Sequence, residues 1–111
     1  PKIVVAKQGE YGAAVFTEEG FFALPAYPLE SAIDPTGAGD SFAGGFMGYL
    51  ARTGDLSEPS LKRAVVYGSA MGSFAVERFS IQRFLEISRD EIRARVKEFY
   101  RLVSFEEDLL S

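Results

Sequence analysis

The first quarter of the chain carries short apolar runs separated by turn residues, a pattern that predicts β-strands. Ile3 to Lys7 (IVVAK) is rich in β-branched residues, and Ala13 to Phe16 (AAVF) follows a turn that contains two glycines. Thr17 to Gly20 is predicted as a hairpin loop, because glycine suits the left-handed position that such loops need. Phe21 to Ala26 is then the returning strand, so the pattern predicts three short strands.

The rest of the chain has helical spacing. Between Gly37 and Arg52 the apolar residues recur every three or four positions, at Phe42, Phe46 and Tyr49 or Leu50. A second helix is predicted from Ser60 to Phe79, and a third begins at the Ser-x-x-Glu capping box of Ser88 to Glu91. From this order we expect the strands to form one edge of a sheet and the three helices to pack on it.

Composition narrows the class of protein. Of the 111 residues, 47% are hydrophobic and 25% are charged, which is the balance of a soluble globular domain. Twelve basic and sixteen acidic residues give a net charge of -4, so no positive field recruits nucleic acid or an anionic membrane. Any phosphate must therefore be held locally. No segment resembles a signal peptide or a membrane span, which predicts a cytoplasmic protein.

The chain has neither cysteine nor histidine. This excludes disulfides, a Ser-His-Asp triad, and metal sites built from thiolates or imidazoles. Carboxylates, lysines and tyrosines remain as acid/base groups. The chain also begins on a strand-like run without an initiating Met, which predicts that it is part of a longer protein.

The segment DPTGAGDSF, residues 34–42, holds the candidate chemistry. The first amides of a helix have no partner inside the helix and carry a partial positive charge, and the small residues Gly37, Ala38 and Gly39 would let a phosphate approach them. The alternative is that these glycines form only a turn or a cap. Asp40, in the first helical turn, is either a helix-stabilising acid or a base that accepts a proton from an attacking hydroxyl.

Three further glycines follow inside the helix, at positions 44, 45 and 48. Each costs roughly 1 kcal/mol of helix propensity relative to alanine, so a close approach of the helix to its neighbour is needed to explain them. Packing against the sheet is preferred here over a direct ligand role. Two nucleotide motifs are excluded, because the chain has no Gly-Lys pair for a P-loop and Phe42 occupies the third glycine position of a dinucleotide fingerprint.

The motif DPTGAGDSFAGGF resembles the C-terminal signature of the ribokinase-like, or PfkB-type, carbohydrate kinases. The flanking stretches VVAKQGEYGAAVF and AYPLESAIDPTGAGD resemble that family as well, so the resemblance covers essentially the whole chain. It implies the C-terminal portion of a three-layer α/β sandwich, with residues 1–111 as its nucleotide- and phosphoryl-binding part. It also implies an N-terminal portion that binds the acceptor, without which the isolated chain is inactive.

The resemblance implies roles for particular residues. Asp40 is the implied catalytic base, and the anion hole is formed by the amides of Gly37, Ala38, Gly39 and Asp40. The residues near the nucleotide phosphates are Lys7, Gly9 and Gly12, and the stretch that borders the adenine is Ser69 to Ser80. For Lys7 the alternative is a solvated charge at a strand end.

The implied reaction is transfer of phosphate from ATP to a hydroxyl of a sugar or nucleoside, with Mg²⁺ arriving on the nucleotide. In cation-activated members the positions of Asp34 and Thr36 help to bind a monovalent ion such as K⁺, although Asp34 could equally cap the turn before Pro35. Serine stands at position 80, where members often have a glycine that completes the cation site, and the chain lacks the asparagine of the family's Asn-x-x-Glu magnesium motif.

Two other interpretations remain open. The chain could be a nucleotide- or phosphate-binding module without turnover, or a purely structural domain. Sheet surface that the chain leaves uncovered would favour association, so a homo-oligomer is also compatible with the sequence.

Overall fold

The computed structural model describes residues 3–7, 12–28, 38–77 and 87–105. Three strands precede three helices, as the sequence predicts. The strands are β1 (Ile3–Lys7), β2 (Ala13–Thr17) and β3 (Gly20–Leu24), and the helices are α1 (Ala38–Thr53), α2 (Glu58–Glu77) and α3 (Arg89–Val103). Among the described residues, no helix combines the length and apolarity that crossing a membrane requires.

The three strands form an antiparallel sheet in the order β1-β2-β3. The predicted hairpin is confirmed, but its loop is tighter than expected, because Thr17 and Gly20 already pair with each other and only two residues lie between them. The third strand ends at Leu24 and not at the predicted residue 26. Pro25 accounts for the difference, because it has no N–H to donate to the sheet.

One face of the sheet packs against the helices. Val5, Val15 and Phe22 are directly opposite one another in the strand register and belong to or border the core. The other face carries Val4, Phe16 and Phe21, which are also paired across the strands and are 44%, 43% and 68% exposed. The described helices therefore cover the side of the sheet that carries Val5.

The hydrophobic core receives side chains from β2, β3 and all three helices. The predicted stripe of α1 is confirmed, since Phe42 and Phe46 are buried and Tyr49 and Leu50 pack against the same core. The other large members of the core are Val15, Leu24, Leu61, Val65 and Phe99.

Helices α1 and α2 form an antiparallel hairpin. Gly54 ends α1 with a φ of +64°, and its N–H donates to the carbonyl of Leu50, as the predicted helix stop requires. Helix α2 begins at Glu58, two residues before the predicted start, because Pro59 fits the first turn, where no N–H is needed. The structure describes this helix as far as Glu77, and its predicted end at residue 79 lies outside the described residues.

The two helices touch backbone to backbone at Gly45 and Gly68. A Cβ on Gly45 would lie 2.8 Å from the carbonyl oxygen of Tyr67, and one on Gly68 would lie 2.8 Å from that of Phe42. The predicted need for close approach is thus confirmed for Gly45, but its neighbour is helix α2 and not the sheet. Close packing does not explain Gly44 and Gly48, where a Cβ would meet nothing within 4 Å.

The contact yields a test of stability. We expect Gly45→Ala to lower the free energy of unfolding by about 1–3 kcal/mol, because the added methyl group forces the helices apart. Gly44→Ala is the matched control in the same helix and should raise stability by up to ~1 kcal/mol through helix propensity. Urea unfolding of the 111-residue chain measures both. Equal effects at the two positions would contradict the backbone contact.

Helix α3 is attached through a buried arginine. Its capping box is confirmed, since the Ser88 side chain accepts from the Glu91 N–H. Farther along, the guanidinium of Arg95 lies 4.1 Å from the ring centroids of both Tyr27 and Phe74. These contacts tie α3 to α2 and to the segment that follows β3.

Arg95 also makes polar contacts, and we call the arginine and its partners Tyr27, Ser73, Phe74 and Glu98 the Arg95 cluster. Nη1 of Arg95 donates to Oγ of Ser73 at 2.6 Å, and Nε lies 3.8 Å from the carboxylate of Glu98. That carboxylate also accepts from the hydroxyl of Tyr27. The charge is therefore enclosed by two rings, a hydroxyl and a carboxylate, which is how a buried cation is stabilised.

We expect Arg95→Leu to lower the free energy of unfolding by about 1–3 kcal/mol, since Ser73 and Glu98 then lose their charged partner. Arg101→Leu, an exposed arginine of the same helix, should change it by less than about 0.5 kcal/mol. Thermal unfolding of both variants measures the difference. A loss of similar size in both would show that the cluster contributes nothing specific.

Candidate phosphate site at the start of helix α1

The start of α1 is the centre of the candidate site. The helix begins at Ala38, so the amides of residues 38–40 lack a partner within it. Gly39 and Ser41 are partly exposed and Asp40 is exposed, so the first turn is accessible. The predicted site residues Gly37, Asp34, Thr36 and Gly9 lie outside the described residues.

Lys7 reaches this turn from the sheet. It lies on the helix-facing side of β1, in alternation with Val5, and a Cβ built on Gly39 would be only 2.6 Å from its Nζ. Nζ also lies 5.8 Å from the centroid of the Phe42 ring. The fold therefore brings together two predicted site residues, Lys7 and Gly39, that are far apart in the sequence. The ammonium occupies the space that any side chain at position 39 would fill.

The electrostatics of this arrangement favour an anion. A helix start carries a partial positive charge, so a second positive charge placed there is repelled. The ion pair found among the described residues joins Arg95 and Glu98, and Lys7 has no carboxylate partner there. The cation–π interaction of the Lys7 ammonium with the Phe42 ring contributes only roughly 0.5–1 kcal/mol at an exposed site. An anion between the ammonium and the amides would be attracted by both.

Asp40 stands next to these amides. Among the described residues, no group of three carboxylates or other ligating side chains could hold a metal ion. The Asp40 carboxylate is exposed and lies in the first turn of α1, beside the Gly39 that the Lys7 ammonium reaches.

Gly12 has a structural reason to be glycine. Its φ is +100°, and a Cβ there would lie 2.1 Å from the carbonyl oxygen of Leu24. The backbone therefore requires glycine at this position whether or not a nucleotide binds nearby.

The C-terminal half of α2 lies beside the start of α1, because the two helices are antiparallel. Ser69 to Glu77 belong to α2, and residues 78–80 of the predicted adenine border lie outside the described residues. Arg95 contacts this half of α2 through Ser73 and Phe74, a role that the sequence analysis missed. The signal was its spacing, since Ile92, Arg95, Val96 and Phe99 follow one buried helical stripe.

A comparison with protein families matches residues 1–87 to the pfkB family of carbohydrate kinases. The chain belongs to this family. The resemblance seen in the glycine-rich motif is thereby confirmed, and the matched region contains β1, the whole of α1 and the whole of α2.

Individual proteins that are similar to this chain are also kinases. The chain is 35% identical over 74 residues to a probable fructokinase-5 of Arabidopsis thaliana, a match that covers 65% of this chain and 22% of the relative. Among solved structures, aminoimidazole riboside kinase of Salmonella enterica, in complex with aminoimidazole riboside and an ATP analogue, aligns with a TM-score of 0.72 and 30% identity. That alignment covers 86% of this chain and 31% of the kinase.

A fructokinase of Vibrio cholerae, solved with fructose, ADP and calcium bound, aligns with a TM-score of 0.73 and 26% identity over 86% of this chain and 30% of that one. The predicted ribokinase-like α/β fold is thus confirmed. The chain spans less than a third of the length of each of these three relatives.

Gly39 offers a direct test of the site. We expect Gly39→Ala to leave the free energy of unfolding within about 0.5 kcal/mol of the wild type, because only the flexible end of Lys7 must move. Affinity for inorganic phosphate should fall about tenfold, the effect of losing one charged contact. Shifts of the amides of residues 38–41 during an NMR titration measure it. Ala43→Ser, at an exposed position of the same helix that lines no groove, should bind as the wild type does.

Proposed function

We propose that this chain forms the nucleotide- and phosphoryl-binding part of an ATP-dependent kinase that phosphorylates a hydroxyl of a sugar or a nucleoside. The observation that carries the proposal is the position of the Lys7 ammonium at the first turn of α1, against Gly39 and close in sequence to the exposed Asp40. The same residues lie within the stretch that matches the kinase family.

In this proposal the amides of residues 37–40 and the Lys7 ammonium hold the oxygens of the group being transferred. Negative charge on these oxygens is stabilised by donors that are already in place, a contribution of ~2.7–4 kcal/mol for one such donor in a well-studied enzyme. Because phosphoryl transfer has a loose transition state, the acceptor hydroxyl needs mainly to be positioned. Asp40 positions it and accepts its proton.

ATP is the proposed donor, and it is supported by the ATP analogue and the ADP in two related kinase structures. Mg²⁺ is proposed to arrive with the nucleotide and to keep phosphate oxygens and waters as ligands. The described residues offer no ligand cluster of their own for a metal. A K⁺ site at Asp34 and Thr36 stays a prediction that falls on residues outside the described ranges.

The acceptor is proposed to be a sugar or nucleoside because the relatives include a fructokinase and a riboside kinase. Residues 1–111 are proposed to be the C-terminal part of the kinase domain, with the acceptor held by a preceding part of the same protein. The isolated chain would then bind phosphate but catalyse no transfer.

The catalytic role of Asp40 can be tested in the complete protein. We expect Asp40→Asn to lower kcat by about 10²–10⁴, the usual contribution of a general base, while the affinity for ATP stays nearly unchanged. Asp90→Asn is the matched control, because Asp90 is an exposed carboxylate in the first turn of another helix. Steady-state kinetics and nucleotide titration give both quantities.

Two results would argue against the mechanism. If the Asp40→Asn variant keeps its turnover, Asp40 is not the general base. Nucleotide binding without measurable turnover in the wild type would favour a binding module that has no kinase activity.

A further inference from the structure

A groove runs along the side of α1, between α2 and the first turns of α3. Its volume is about 390 Å³, within the range of small-molecule sites. Gly44 and Gly48 line it, and neither would meet another atom within 4 Å if it carried a Cβ. No neighbouring element packs closely on these two glycines, because they face this groove.

Three arginines surround the groove, Arg52 from α1 and both Arg89 and Arg93 from α3. All three are exposed, and they form no ion pair with the carboxylates of the described residues. Among the described residues, those that line the groove include no aspartate or glutamate. In a chain with a net charge of -4, this is a local concentration of unpaired positive charge.

The remainder of the lining is mostly apolar. The rings of Tyr49 and Tyr67 stack with their centroids 4.9 Å apart and form one side of the groove, and Met71 and Ile92 add aliphatic surface. A flat ring can lie against such a surface, and the missing side chains at Gly44 and Gly48 allow it to approach the helix backbone closely.

We propose that this groove binds a phosphate monoester of a compact ring compound. Guanidinium groups match the oxygens of phosphate in paired hydrogen bonds, and the tyrosine and aliphatic walls take the ring. The small volume favours a small molecule over a polypeptide segment. Arg52 lies about 18 Å along the helix from Asp40, so the anion binds away from the first turn of α1. The site does not depend on the proposed kinase reaction.

The probe is phenyl phosphate, titrated into the isotopically labelled 111-residue chain at constant ionic strength. We expect amide shifts in residues 44–52 and 89–93, and about tenfold weaker binding in Arg93→Ser and in Arg52→Ser. Arg101→Ser, in the last turn of α3 and outside the groove, removes the same charge and should bind as the wild type does.

A second variant tests the shape of the site without changing its charge. Gly48→Leu should fill the groove and abolish these shifts while it leaves the chain folded, because its Cβ meets no neighbour. Circular dichroism of each variant confirms the fold, so a lost shift cannot be ascribed to unfolding.

Three results would overturn the proposal. Equal weakening in Arg101→Ser would indicate a general effect of charge. Shifts confined to residues 38–41 would assign all binding to the start of α1, which supports the kinase proposal and not this one. A molecular mass that falls from dimer to monomer in Arg93→Ser, with no phosphate-dependent shift in the wild type, would make the groove a contact between two copies.

Discussion

The backbone contact between Gly45 of α1 and Gly68 of α2 determines where the candidate site lies. Because neither residue has a side chain, the helices approach until the carbonyl oxygens of Tyr67 and Phe42 border the facing glycines. Phe42 is then held between α2 and the core, one turn from the start of α1. The first turn is thereby placed beside the end of β1, where Lys7 reaches it.

Glycines in α1 serve three different purposes, although the sequence presents them as one run. Gly39 leaves room for an ammonium, Gly45 for a neighbouring backbone, and Gly44 with Gly48 for an open groove. Each interior glycine costs roughly 1 kcal/mol of helix propensity. The buried apolar stripe of the same helix offsets that cost, which explains how so weak a helix former can persist here.

Local chemistry was predictable from the sequence, whereas contacts between distant segments were not. The capping box at Ser88 and the stop at Gly54 depend on a few neighbouring residues, and both are confirmed. The glycine-rich motif also indicated the family. The burial of Arg95 depends instead on Tyr27 and Phe74, which only the folded chain brings to it. The prediction that Gly45 packs against the sheet is wrong for the same reason. The spacing of the glycines indicates that α1 approaches another element closely, but it does not identify that element.

The negative net charge of the chain is compatible with the proposed binding of phosphate. Charges on a protein surface are screened over about 8 Å at physiological salt, so an anion at the start of α1 responds mainly to the groups within that distance. There it meets the Lys7 ammonium, the first amides of the helix and the carboxylate of Asp40, and acidic residues farther away act only on its approach. The chain thus needs local positive charge with no carboxylate paired to it, and both Lys7 and the arginines of the groove meet that condition among the described residues.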